Sequence, residues 1–210
     1  IDIANNFTYE TSYRAAQRMG DIKAYKLHLE TGQPDRNQPA WTKPCPTDAS
    51  RTCAKGVAEM LEARTADSRQ IATFNGSSGV DFTSSGLGTT LLGQLQSPAG
   101  AGNGAQVLAY LRGDRSQEST SLRRRLQLLG PIIHSEPVLV REPDRSYADA
   151  GYASFRSSTT GRTRMLYVGA NDGMMHAFDA STGVEKWAYV PKAVFPRLPG
   201  LASPNGLFEA

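Results

Sequence analysis

Residues 165–190 constrain this chain more than any other stretch. Three short runs rich in β-forming residues, 165–169, 174–179 and 184–190, are separated by Asn171-Asp172-Gly173 and Ser181-Thr182-Gly183. Strand formers broken by glycine turns at this spacing make hairpins rather than helices. Asp-Gly between two strands signals a type I′ turn, which needs positive φ at both central residues. The third run carries Trp187 and Tyr189 and stops at Pro191. Residues 132–140 read as one more strand, with Pro137 placing it at an edge or a bulge. The expectation is a four-stranded antiparallel meander over 132–190, with a loop at 141–161.

The N-terminal part echoes this unit. Gly20-Asp21-Ile22-Lys23-Ala24-Tyr25 aligns with Gly173-Met174-Met175-His176-Ala177-Phe178, and each reaches a Thr-Gly pair and then a tryptophan. The later spacings differ between the copies. Two strand-turn-strand units about 150 residues apart suggest blades of a β-propeller. The blade-like units are 9–32 and 131–191, within one domain over 1–210. Residues 33–69 and 141–161 read as loop insertions and 87–129 as a helical insertion. Within the latter, 119–129 has Leu122, Leu126 and Leu129 on one helical face, Thr120 or Ser121 as N-cap and Gly130-Pro131 as a stop. Residues 87–95 and 105–111 read as shorter helices. Propellers have 4–8 blades, so a closed ring is expected to need residues beyond Ala210.

The most specific pattern is Ala177-x-Asp179-x-x-x-Gly183-x-x-x-Trp187. Ala177 packs at the blade core and Asp179 bonds the amides of its own turn. Gly183 supplies positive φ, and Trp187 docks onto the neighbouring blade. The pattern resembles the tryptophan-docking motif of quinoprotein-type propellers. The fold class is therefore mainly β: an incomplete β-propeller with quinoprotein-like blades of four antiparallel strands and short helical insertions. The motif is architectural and argues for fold, not for an enzyme.

Read together, the segments resemble the PilY/PilC family of type IV pilus tip adhesins. Tyr167-Val168-Gly169-Ala170-Asn171-Asp172-Gly173-Met174-Met175-His176-Ala177-Phe178-Asp179 carries most of the resemblance. Leu111-Arg112-Gly113-Asp114, Leu129-Gly130, Ile132-Ile133-His134-Ser135 and Gly20-Asp21-Ile22-Lys23-Ala24-Tyr25 follow the family's order. Gly130-Pro131, where the family usually has Gly-Asp, and Arg18-Met19, where it often has a tryptophan, depart from it. The resemblance implies a secreted, non-enzymatic pilus-tip adhesin and assembly factor on the surface of a Gram-negative bacterium. It would support pilus extension, surface attachment and twitching motility. Its partners would be minor pilins and a host or abiotic surface. The family's calcium loop is expected beyond Ala210, and no cofactor or metal is assigned to any residue here. The alternatives are a quinoprotein-type dehydrogenase and an outer-membrane assembly scaffold.

A net charge of +3, from 23 Lys and Arg against 20 Asp and Glu, argues against a nucleic-acid binder driven by bulk electrostatics. No apolar run approaches the roughly 18 residues of a membrane helix. Cys45 and Cys53, eight apart in a proline-rich stretch, are read as a disulfide, which needs an oxidising compartment; the alternatives are free thiols or, less favoured, a metal site. Arg112-Gly113-Asp114 is an integrin-type tripeptide, against a structural turn in which Asp114 pairs with Arg123 or Arg124. Arg123-Arg124-Arg125 is expected to bond a carboxylate or exposed carbonyls. His176 reads as a satisfied core or channel-lining imidazole. No catalytic constellation is evident.

Overall fold

A computed structural model describes residues 6–96 and 103–204. Strands β1 (Phe7–Arg14), β2 (Met19–Leu27) and β3 (Pro34–Pro39) form an antiparallel sheet in that order. A hairpin of β4 (Thr42–Cys45) and β5 (Asp48–Ala54) and helix α1 (Val57–Glu62) follow. Then come β6 (Ile71–Phe74), β7 (Gly79–Asp81), α2 (Ser84–Gln94) and α3 (Gly104–Arg112). The chain continues through β8 (Val138–Val140), α4 (Tyr152–Ser158), β9 (Met165–Ala170), β10 (Met174–Asp179), β11 (Glu185–Val190) and α5 (Leu198–Ala202).

The expected meander is present as β8 to β11, but the sheet is larger. Its order is β7-β6-β11-β10-β9-β8, and β11 pairs with β6 in parallel, Ala188 opposite Ile71. The two echoing segments form the middle strands, β2 and β10, of antiparallel triplets. Ala24 and Tyr25 are buried in one, Ala177 and Phe178 in the other. The N-terminal unit has three strands where a blade of four was expected.

Several local expectations are corrected. The β9–β10 turn holds three residues, with Met174 opposite Ala170 and Gly173 N–H donating to Ala170 O. Gly173 alone has positive φ (88°), so this is the longer glycine-bulged hairpin rather than type I′. Residues 132–137 are irregular, and the edge strand begins only after Pro137. Residues 33–69 contain β3, β4, β5 and α1, and 141–161 contain α4.

Residues 119–129 are not helical. Leu122 and Leu129 are buried, but Leu126 is 61% exposed, so the three do not share a face. Long-range bonds replace the helix ladder: Arg123 N–H donates to Ala202 O (2.8 Å) and Arg125 Nη1 to Tyr110 O (2.8 Å).

The core has two clusters. One lies under α2, α3 and α5 and takes in Met174, Ala188 and Val190. The other joins β2, Trp41 and α1 to Leu166, Val168, Phe178 and Ala180. Met174, His176 and Phe178 follow one another on one face of β10, because alternate strand residues share a face. Met174 belongs to the first cluster and Phe178 to the second, so His176 sits at their seam.

The indole packed on the β10–β11 turn is Trp41. Its six-membered ring lies so close to Gly183 that a Cβ there would meet it at 2.9 Å and Met60 Cε at 2.2 Å. Gly183 also has φ of 74°, so both the turn and the contact require glycine. Tyr9 packs against Trp41 with ring centroids 5.7 Å apart and planes tilted by 40°, and donates from its hydroxyl to Ala180 O (3.1 Å). Trp187 instead packs on Tyr167 of its own sheet, ring centroids 5.6 Å apart. Asp179 Oδ1 accepts from the amides of Ser181 and Thr182, which holds the β10–β11 turn.

Cys45 and Cys53 form a disulfide across the β4–β5 hairpin, so the free-thiol reading does not apply to this fold. Closing so short a loop contributes about 2–3 kcal/mol by the chain-entropy model. The double alanine variant is expected to be less stable by that amount in urea denaturation, and reductant should destabilise wild type but not the variant. A reductant effect on the variant would rule out the bridge as its source.

Candidate functional site

The most concentrated polar chemistry lies at the seam between the two cores. Asp172 in the β9–β10 turn accepts from Gly130 N–H (3.0 Å), Met174 N–H (3.1 Å) and His176 Nε2 (3.1 Å). His176 is fully buried, and its Nδ1 lies 2.8 Å from Glu185 Oε1. Glu185 in turn accepts two bonds of 2.9 Å from Arg69 Nε and Nη2. Arg69 Nη1 donates to Arg112 O (2.9 Å). The result is a buried chain of alternating charge, Asp172–His176–Glu185–Arg69. It ties β10 and β11 to the segment before β6 and to the end of α3.

Local geometry explains the assembly. The three-residue turn aims Asp172 back over its own hairpin, four residues from His176. Gly130 lets the 129–131 segment cross this turn: a Cβ there would meet Asp172 N at 2.4 Å. Glu185 opens β11 opposite Phe178 in the bulged register, which brings it alongside His176.

The charges hold one another. Burial alone would push the His176 pKa down, but Asp172 and Glu185 outweigh it and raise it to about 9. Burial would raise Glu185, yet His176 and Arg69 bring it down to about 2. Burial acts upward on Asp172 too, and His176 and the Gly130 amide still leave it below the ordinary value. His176 is therefore an imidazolium at neutral pH, clamped on both nitrogens. Neither nitrogen is left to act as a base, and the flanking carboxylates diverge on opposite sides of the ring. Among the described residues, no group of three or more His, Cys, Asp or Glu side chains is placed to hold a metal ion.

A second cluster adjoins the first. The Arg125 guanidinium lies 3.6 Å over the Tyr110 ring and donates to Glu118 Oε1 (2.7 Å), Tyr110 O and Asp114 O (2.9 Å). Arg115 grips Glu62 with two contacts of 2.8 Å and also donates to Arg125 O. The expected use of the arginine run, on a carboxylate and carbonyls, is met by Arg125.

The structure separates the remaining sequence-selected residues. Arg112 is buried in the last turn of α3, and its guanidinium donates to Phe82 O, Ala66 O and Arg69 O at 3.0–3.1 Å. Gly113 ends that helix with φ of 123°. The Asp114 carboxylate accepts from Ser116 N–H (2.6 Å); its backbone carbonyl, not its side chain, meets the arginine run at Arg125. Asn171, Asp172 and Gly173 form the turn beside the network. Ala177, Asp179, Gly183 and Trp187 lie in the architectural part of the sheet.

Sequence reasoning missed Arg69, Glu185 and Tyr110. Glu185 had a weak signal, as a carboxylate opening a strand that runs beside a histidine-bearing one. Arg69 had none, because it lies 116 residues from Glu185.

No helix among the described residues is long and apolar enough to cross a membrane. No family model matches the chain. No solved structure matches it either. Curated relatives do. A Type IV pilus biogenesis factor PilY1 homolog from Xylella fastidiosa is 35% identical over 205 residues, covering 91% of this chain and 14% of the relative. Type IV pilus biogenesis factor PilY1 from Pseudomonas aeruginosa strain PAK is 30% identical over 212 residues, 94% of this chain and 17% of the relative. The chain thus spans about one-seventh to one-sixth of the length of these relatives. On that similarity along almost its whole length, the chain belongs to the PilY1 family of type IV pilus biogenesis factors.

Proposed function

We propose that this chain is part of a β-propeller scaffold in a non-enzymatic type IV pilus biogenesis factor that works at the cell surface. The observation that carries the reading is the similarity to PilY1-named relatives over more than nine-tenths of the chain. The two antiparallel triplets and the docking of Trp41 on Gly183 support the propeller. On this reading Trp187, half-buried against Tyr167, is the surface on which a following blade packs. The spent hydrogen bonds of His176 and its partners favour scaffolding over catalysis.

In this role the protein sits at the pilus tip with minor pilins and supports extension, surface attachment and twitching motility. Arg112-Gly113-Asp114 serves the fold, because Arg112 is committed to three carbonyls. Asp114→Glu should therefore leave attachment unchanged; loss of attachment with normal pili would restore the ligand reading. The function itself is tested by deleting the full-length protein in its source bacterium. Fewer surface pili and reduced twitching at unchanged pilin level are expected, with the protein recovered beside minor pilins in sheared wild-type pili. Normal pilus number and motility in the deletion would overturn the assignment.

A further inference from the structure

A small cavity of about 30 Å³ lies between the end of α3, the 123–131 segment and the β9–β10 turn. Arg18, Arg69, Tyr110, Arg123, Arg125 and Asn171 stand in its wall. Two of the arginines are neutralised inside the protein, Arg69 by Glu185 and Arg125 by Glu118. Arg123 is not. It donates from Nε to Leu201 O (3.0 Å) and makes no carboxylate ion pair among the described residues. Asn171 Nδ2 is buried there with no hydrogen-bond acceptor. A buried donor left unpaired costs about 1–3 kcal/mol, and an acceptor entering the cavity would offset that cost.

The wall is thus set to receive an acceptor with negative charge. Asp172 also lines the cavity, but its oxygens are taken by the Gly130 and Met174 amides and by the His176 imidazolium. Size narrows the choice. At roughly 10–15 Å³ per water-sized place, the cavity has room for about two oxygens. That suits a planar carboxylate and is tight for a tetrahedral oxyanion with four. A carboxylate also matches the planar fork of an arginine.

We propose that this cavity binds a single carboxylate group, held by the Arg123 guanidinium and Asn171 Nδ2. The group belongs either to a small free acid or to another polypeptide, through its C-terminus or an acidic side chain.

The test uses the full-length protein, titrated with sodium formate at constant ionic strength against sodium chloride, with binding read by calorimetry and by thermal melting. Saturable formate binding and a rising melting temperature are expected, with inorganic phosphate ineffective. Asn171→Ala removes a side-chain amide nitrogen without a partner and should fold normally. It should weaken formate about tenfold or more, as should Arg123→Met, because charge-assisted bonds are lost. Trialanine with a free carboxylate, compared with its amide, separates the sources. Tighter binding of the acid than of formate, lost on amidation, assigns the group to a polypeptide; equal or weaker binding assigns it to a small acid. No saturable effect beyond chloride, equal binding of phosphate, or formate binding untouched in Asn171→Ala would overturn the proposal.

Discussion

Glu185→Ala is expected to destabilise the fold by about 3–5 kcal/mol, because it leaves Arg69 and His176 charged in the interior without their shared partner. Glu185 and Arg69 are both buried and joined by two 2.9 Å contacts. Glu185→Gln keeps the shape and an acceptor oxygen and should cost less. Urea midpoints of the two variants against wild type measure this, and a loss under 1 kcal/mol for the alanine variant would show that water relieves the two cations.

The same network sets the pH dependence. His176 is raised from 6.5 to about 9 in the fold, so its contribution is full below pH 6.5 and is lost as pH rises through 9. Glu185 is lowered from 4.5 to about 2, so its contribution is full above pH 4.5 and is lost as pH falls towards 2. Both are complete between pH 4.5 and 6.5. The alkaline decline should shrink in Glu185→Ala, where His176 keeps only Asp172. Wild-type stability that is flat from about pH 6 to 10 would contradict an imidazolium held between two carboxylates.

Trp41→Ala is the other large effect, at about 3–5 kcal/mol for emptying a buried indole site. Trp41 is only 3% exposed and joins Tyr9, Met60 and the Gly183 turn. Its Nε1 is buried without a hydrogen-bond partner. Trp41→Phe therefore discards an unsatisfied donor along with ring area, and should cost far less than alanine. Gly183→Val attacks the same contact from the other side, through its positive φ and the indole behind it. Chemical denaturation of the three variants checks the order; a phenylalanine variant as weak as alanine would mean that the Nε1 atom matters after all.

Residues 165–190 were legible because their information is local. The β9, β10 and β11 strands follow from β-forming runs and two glycine turns, and the Asp179 turn satisfies its amides within four residues. Even so, the Asp-Gly pair points to a type I′ turn where the fold has a three-residue loop, and the extra residue lets Asp172 reach both His176 and Gly130. The 119–129 helix failed for the opposite reason. Its leucine spacing is a local signal, but Arg123 and Arg125 find carbonyls on α5 and α3 that a helix would have denied them. The motif names Trp187 by residue type and not by the partner on which it lands: within its own sheet it meets Tyr167, while the indole on the Gly183 turn is Trp41, from outside the motif.

The β-rich class, the echo between β2 and β10, the disulfide candidate and the family are readable from the residues alone. Each is written in neighbouring residues or in an ordered series of short motifs. Folding alone settles that β6 joins β11 in parallel, that Arg69 meets Glu185 and that two carboxylates hold His176 protonated. The first two depend on segments more than 100 residues apart; the third rests on near neighbours in the chain, whose charges have large consequences only after folding has taken the water away from them.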